Sequence, residues 1–479
     1  MTIGRAVCGV VQMCDAMDGA THVRTRRAGP LSTPLRYLSL MPLATLLYRA
    51  ATRSAAAVLP AIAPWVGGKL AVGTRGRRGV VARIEAWAAQ RRDPDRPLLW
   101  IHAPSVGEGL QAEVVLREVR RRHPDWQVVY THFSPSAVAL AARQGADVTD
   151  YLPWDTPDAA RRVLEALRPD ALVFAKADLW PELACQAASR GTRIGIIAAT
   201  VSPVSRRLRW PARTLMRRGY RVVTAAGAIA AEDAERLTAL GTPADRIDIL
   251  GDPRFDSVRS VIEAVPPNDP ALRFRGTGLA LVAGSTWPAD ETRVLKAFTE
   301  VLRVHPEARL ILAPHEPTPR HLVAVRAEAR RHELPEPRLI ADAGAEDPLV
   351  LVDRVGLLAR LYGSAGLAYV GGGFGSAGLH SVLEPAGWGV PVAFGPRSAN
   401  SREAELLVEA GAALRLDHPD PARQLATWWS RMLGERAERE TAGRAAFAVL
   451  DAGRGSAARQ ADLVERLVGA QRRSTTIPS

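Results

Sequence analysis

Three cysteines in 479 residues, Cys8, Cys14 and Cys185, are too few and too scattered for a disulfide framework or a zinc knuckle. A reducing compartment follows as the expectation, without a cysteine-based metal site. Lysine is as scarce: Lys69, Lys176 and Lys296 are the whole set among 63 basic residues. An arginine surplus beside abundant alanine reflects a GC-rich coding bias more than a demand for guanidinium chemistry. Long apolar runs are missing too. "YLSLMPLATLLY" (37–48) and "SAAAVLPAIAPWVGG" (54–68) are separated by Arg49 and Arg53, and neither reaches the ~20 residues of a spanning helix. No charged start leads into an apolar core with a small-residue cleavage site, which argues against a secretory signal. There is no Walker motif, no Gly-x-Gly-x-x-Gly after an early strand and no helical His-x-x-x-His.

What is present is a lopsided charge. Of the net +13, residues 1–92 hold 14 basic and 3 acidic side chains, leaving the rest of the chain close to neutral. A chain basic throughout points to nucleic acid. One basic only at one end, next to arginine-flanked apolar stretches, points to an anionic membrane face, with a helix lying in the interface. No nucleic-acid partner is expected.

From residue 98 the pattern becomes regular. "LLWIHA", "QVVYTHF", "ALVFAK", "RIGIIAAT" and "RIDILGD" alternate with Ala-, Leu- and Arg-rich helical stretches. Runs apolar on both faces read as parallel strands covered by helices. The pattern restarts with "LALVAGS", "ARLILAPH", "PLVLVDR", "LAYVGGG" and "PVAFGP". The expected fold is α/β, two doubly wound Rossmann-like domains. The expected boundaries are a membrane-associating segment 1–70, a first domain 71–255, a linker 256–276, a second domain 277–418, and C-terminal helices and tail 419–479. Ligands bind outside the carboxyl ends of such sheets, so the cleft between the domains is the expected site.

Ser105-Val-Gly-Glu108 follows the first strand and opens an amphipathic helix carrying Ala112, Val115, Leu116 and Val119. Ser-x-x-Glu is a capping-box pattern, and a first-turn carboxylate is favoured by the helix dipole. The same carboxylate, at a strand's end and flanked by Gly107 and Gly109, also suits a general base that takes a proton from an attacking alcohol. The residues leave both roles open.

A second dense stretch is "AYVGGGFGSAGLHSVLEPAGWGVPVAFGP" (368–396). Glycines after a strand, Gly372 among them, followed by a helix N-terminus near Glu384-Pro385, make either a tight turn or an anion site. His380 sits within it. Ser285 and Thr286 in "AGSTWPADE", and His315 in "LAPHEPTPRH", occupy other strand ends. A cap and an exposed loop are their plain alternatives, and the spacing of His315, Glu316 and His321 does not suit a metal.

Taken in order, these pieces resemble the bacterial Kdo transferases, membrane-associated enzymes that add 3-deoxy-D-manno-octulosonic acid (Kdo) to a lipid A precursor. "WIHAPSVGE" is similar to the family's Trp-x-His-x-x-Ser-Val-Gly-Glu, "KADLWPE" to Glu-Thr-Glu-Leu-Trp-Pro-Asn, and "GDPRFD" to Gly-Asn-Leu-Lys-Phe-Asp. "GLHSVLEPAGWGVPVAFGP" resembles Gly-Gly-His-Asn-Pro-Leu-Glu-Pro-Ala-x-Trp-Gly-Lys-Pro-Val-x-Phe-Gly-Pro. The resemblance implies a B-type (GT-B) glycosyltransferase with an acceptor domain followed by a donor domain. It implies inverting transfer of Kdo from CMP-Kdo to lipid IVA in lipopolysaccharide core synthesis, without a metal. The setting it implies is the cytoplasmic face of the inner membrane. Glu108 would be the general base, with Lys176 and Arg254 at the other catalytic positions. Ser285, Pro314, His315, Val355, Gly356, Leu357, Gly372, His380, Ser381, Val382, Leu383 and Glu384 would hold the donor. Lys176 reverses the charge of the first acid of Glu-x-Glu, Asp178 stands at the second, and His315 replaces an arginine. Another nonulosonate transferase or a sugar-nucleotide epimerase fits the same architecture, and a non-enzymatic lipid or nucleotide binder fits the basic end alone.

Overall fold

The computed structural model describes residues 43–275 and 280–475, so the basic leader ahead of Leu43 lies outside the described residues. Each half of the chain builds one parallel sheet of seven strands. The first contains β1 (Leu98–His102), β2 (Gln127–His132), β3 (Val148–Tyr151), β4 (Ala171–Ala175), β5 (Arg193–Ala199), β6 (Ala225–Ala228) and β7 (Ile247–Ile249), in the order β3-β2-β1-β4-β5-β6-β7. The second contains β8 (Ala280–Thr286), β9 (Arg309–Pro314), β10 (Arg338–Leu339), β11 (Leu349–Leu351), β12 (Leu367–Val370), β13 (Val392–Phe394) and β14 (Ala413–Arg415), in the order β10-β11-β9-β8-β12-β13-β14. Strand order reverses between β1 and β4 in one sheet and between β8 and β12 in the other. Those reversals are the switch points where open α/β sheets receive ligands.

The unbroken apolar strands are explained by their two covers. In the first sheet Leu98, Trp100, Leu172 and Phe174 feed one core, while Leu99, Ile101, Ala171 and Val173 feed the opposite one. The second sheet divides Leu281 and Leu310 from Val282 and Ile311 in the same way. The helix Pro157–Leu167 shows how the covers form. Thr156 caps it by accepting from the Ala159 amide, Pro157 opens it, and Ala160, Val163, Leu164 and Leu167 make its buried stripe. The cap contributes about 1 kcal/mol, and each buried Val or Leu about 2 kcal/mol.

Among the described residues three helices precede β1: α1 (Leu43–Val66), α2 (Gly68–Arg77) and α3 (Val80–Arg91). The described part of the first apolar stretch, 43–48, and residues 54–66 of the second lie in one helix, α1, which carries Pro60 and Pro64. No helix among the described residues is long and apolar enough to cross a membrane. The inner face of α1 is polar and specific. The Tyr48 hydroxyl donates to Asp155 at 2.6 Å, and Arg49 grips the buried Glu182 at 2.7 and 2.8 Å. Burial pushes the Asp155 carboxyl up to about 6, against the opposing pull of Tyr48 and the Glu182 and Leu183 amides.

The chain divides at residues the sequence did not mark. One compact unit runs to Pro253 and resumes at Ser456; the other is Arg254–Gly455. The linker expected over 256–276 is instead the helix Arg254–Glu263 and the 3₁₀ turn Pro270–Phe274, both within the second unit. Phe255 and Phe274 are buried, which is why this Pro- and Asp-containing stretch is ordered packing and not a tether. The expected tail from 419 is likewise integral. Helix Pro421–Gly434 buries Leu425, Trp428 and Trp429 in the second unit, and helix Ser456–Thr475 buries Ala461, Leu463, Val464 and Leu467 in the first.

Candidate active site

In the first unit, α4 (Val106–Arg122) begins directly after β1, with extended Ser105 as its N-cap residue. The capping box is not formed. The Ser105 hydroxyl donates to the Glu108 carboxylate and makes no cap bond to the helix, and Lys176 Nζ donates to the other Glu108 oxygen at 2.9 Å. Burial raises the Glu108 pKa, but the Lys176 charge, the Ser105 hydroxyl and the Lys176 hydrogen bond outweigh it, so the carboxyl sits below its ordinary value. The carboxylate is thus ionised at neutral pH and free of the structural duty its sequence pattern suggested. Glu108 keeps 17% of its side chain exposed.

Lys176 follows β4, the strand beside β1, so the ion pair straddles the switch point. Its backbone is left-handed, with φ 57°, a conformation that costs a non-glycine residue about 1–2 kcal/mol. Strain of this kind is found where a loop is held for function. The next residues are clamped from outside. Arg207 pairs with Asp178 and donates to the Ala177 carbonyl at 2.7 Å, which also accepts from the Tyr220 hydroxyl at 2.6 Å. Arg207 escaped the sequence reading, because nothing local ties it to Asp178. His102 and Trp100 are structural. Both bond Thr131, and burial pushes His102 down to about 3, leaving it neutral.

In the second unit the predicted donor residues stand at or after the ends of β8, β9, β11 and β12. Trp287, His315 and His380 stack in sequence, with ring centroids 4.9 and 4.4 Å apart. Trp287 Nε1 donates to His380 Nε2 at 3.3 Å, which leaves the proton of neutral His380 on Nδ1. Burial and then the neighbouring His315 hold His380 below its usual pKa. Glu384, on the short helix Leu383–Gly387, is the unusual carboxyl: burial pushes it up to about 7, and no cation is set against it among the described residues. Val382 and Leu383 are core residues, while Ser381 is exposed. Pro314 ends β9, and Ser285 adopts φ 52° at a register shift in β8. The turn Val355–Leu357 leaves Val355 78% exposed, with open space around Gly356.

One expectation needs correction. The Gly372 amide is not an anion donor, because it donates to buried Asp290 at 3.0 Å, and a Cβ there would meet the Gly378 carbonyl at 2.1 Å. A Cβ on neighbouring Gly371 would meet the Ser285 carbonyl at 2.3 Å, so these glycines serve close backbone packing. Arg254, expected at a catalytic position, opens the second unit and is engaged by buried Glu403 at 2.9 and 3.2 Å. His321 is held by Glu291 at 3.0 Å and by the Glu316 carbonyl at 2.9 Å.

Residues 75–257 match the family described as 3-deoxy-D-manno-octulosonic-acid transferase (kdotransferase). A 3-deoxy-D-manno-octulosonic acid transferase of Chlamydia muridarum is 30% identical over 341 residues, covering 65% of this chain and 73% of the relative. The chain belongs to the Kdo transferase family. The Bordetella pertussis transferase is 28% identical over 410 residues, covering 81% of this chain and 91% of the relative, and that of Haemophilus influenzae is 26% identical over 381, covering 77% and 86%. Kdo transferases are glycosyltransferases, and two sheets of this topology are the B-type architecture. Solved structures agree on the fold alone. A UDP-GlcNAc 2-epimerase from Neisseria meningitidis gives a TM-score of 0.55 at 14% identity over 78% of this chain and all of that one. A glycosyltransferase from Rickettsia africae gives 0.51 at 9% identity over 79% and 99%.

Proposed function

We propose that this Kdo transferase moves Kdo from CMP-Kdo to a lipid A precursor by inverting transfer, with Glu108 as general base. The observation that carries the reading is the Glu108 carboxylate itself: ionised, partly open to solvent, at a switch point, and not committed to a capping box. An acceptor hydroxyl gives its proton to Glu108 as its oxygen attacks the anomeric carbon, and the bond to the CMP phosphate breaks with its electrons going to CMP. Lys176 keeps the base ionised at the cost of some basicity. On the donor side, His380 Nδ1–H is oriented to donate to an anionic group, and a raised carboxyl at Glu384 suits a partner that donates hydroxyl hydrogens. The proposed reaction needs no metal, and transfer is expected to persist in EDTA. The setting we infer is the cytoplasmic face of the inner membrane, with α1 against anionic lipid. Leu43, Leu47, Trp65 and Val66 on that helix are all more than half exposed.

The test is incubation with CMP-Kdo generated in situ and lipid A precursor, followed by mass spectrometry of the product. Wild type gains Kdo. Glu108→Gln makes none yet is still protected by CMP against heat, since the donor residues are intact. Product from the Gln variant removes Glu108 as the base.

A further inference from the structure

Two stretches of this chain contain no Asp or Glu: residues 19–84 and 183–231. The described part of the first packs against the second, with helix Ala212–Arg221 lying against α1. Their meeting point is Glu182, which is fully buried and takes Arg49 from one side and Arg218 from the other. With that acid saturated, the arginines of the loop after β5 are left over. Arg206, Arg209 and Arg213 are exposed and have no carboxylate partner among the described residues. Trp210 stands between Arg209 and Arg213, and Val204 two residues before Arg206, 70% and 71% exposed.

We propose that the loop 202–213 is a second membrane-contact element, inserting Trp210 and Val204 among the headgroups of an anionic bilayer while its arginines pair with lipid phosphates. The proposal rests on the membrane setting inferred above and adds a contact element far along the chain from the leader. The chemistry fits that occupant. A tryptophan flanked by arginines, with no acid in the surrounding segment, matches the apolar-to-phosphate gradient of a headgroup layer. A protein partner of ordinary composition would meet uncompensated arginines instead. The loop is also rigidly joined to the catalytic edge, because its inward-facing Arg207 pairs with Asp178 and holds the Ala177 carbonyl next to Lys176. Insertion of Trp210 would therefore fix the height of Glu108 above the lipid plane, where an acceptor sugar anchored by acyl chains presents its hydroxyl.

The experiment is co-sedimentation of the full chain with vesicles of phosphatidylethanolamine and phosphatidylglycerol, against pure phosphatidylcholine, at low and high salt. Two variants are compared, V204S/W210S and R206Q/R209Q/R213Q, with unchanged circular dichroism as the folding control. Wild type is expected to prefer the anionic vesicles. Each lost arginine is expected to weaken partition about fivefold at low salt, with the effect shrinking at high salt, whereas the V204S/W210S loss persists at both. Both variants should still transfer Kdo to acceptor dispersed in detergent. Unchanged partition in both variants overturns the proposal, and so does lost transfer to dispersed acceptor with partition intact, which would assign the loop to the acceptor site. If wild type partitions as expected but makes no Kdo product, the surface stands and the assigned reaction falls.

Discussion

Replacing Glu384 by glutamine keeps the shape of the side chain and removes its charge. In the folded chain burial pushes this carboxyl up to about 7, against about 4.3 for an unfolded glutamate. A raised carboxyl binds its proton more tightly when folded, so this group's contribution to stability is complete below pH 4 and is lost as pH rises through 7. At about 1.4 kcal/mol per pH unit, the full difference reaches about 4 kcal/mol, and residual access of water reduces the expected figure to about 2 kcal/mol. The glutamine variant carries no such dependence. The two proteins should unfold at the same urea midpoint near pH 4, the variant should become the more stable between pH 5 and 7, and the gap should level off above 8. Cytidine, which has no phosphate to titrate, should bind wild type better at pH 8 than at pH 6 and the variant equally at both. A stability gap of the same size at every pH would refute the reasoning, because it would mean that Glu384 is not ionising against its own burial.

Other outcomes follow from single contacts. Lys176→Gln removes the charge that holds Glu108 low, so the acid limb of the kcat/KM profile should move to higher pH; a limb that stays put, or moves lower, dismisses the ion pair from the account. Tyr48→Phe deprives Asp155 of its hydroxyl donor, a loss of about 1.5–3 kcal/mol for a bond to a buried charged group. It should be visible as faster proteolytic release of α1. Gly371→Ala forces a methyl to within 2.3 Å of the Ser285 carbonyl, and should destabilise the second unit by about 1–3 kcal/mol in urea titrations.

The central strands of both sheets were legible because they are runs of Leu, Ile and Val with both faces covered. β6 was not: "AAGA" at 225–228 has neither β-branched nor aromatic residues, and it is a strand only because β5 and β7 flank it. β3 was missed for the opposite reason, being a partly exposed "VTDY" edge strand. Glu108 was found from its place after a strand, but its two readings could be separated only by seeing that Ser105 bonds the carboxylate and makes no cap bond to the helix. Gly372 was overread, since glycines that admit a phosphate and glycines that admit another backbone look alike in sequence. Trp287 and Asp290 were passed over within "STWPADE", although the buried aspartate orders the turn and the tryptophan begins the ring stack. No local pattern could report which lobe a C-terminal helix joins.

That last helix has a consequence for how the enzyme is made. Gln460 reaches the Ala198 amide and the Gly227 carbonyl, and Arg122 pairs with Asp462 at 2.6 Å, so the lobe carrying Glu108 is finished by residues more than two hundred positions further along the polypeptide. A ribosome that has released residues 43–253 has released a sheet with one cover incomplete, and it stays so until some two hundred more residues have emerged. A nonsense mutation near residue 455 would leave the second lobe's sequence whole and strip the first of its last helix.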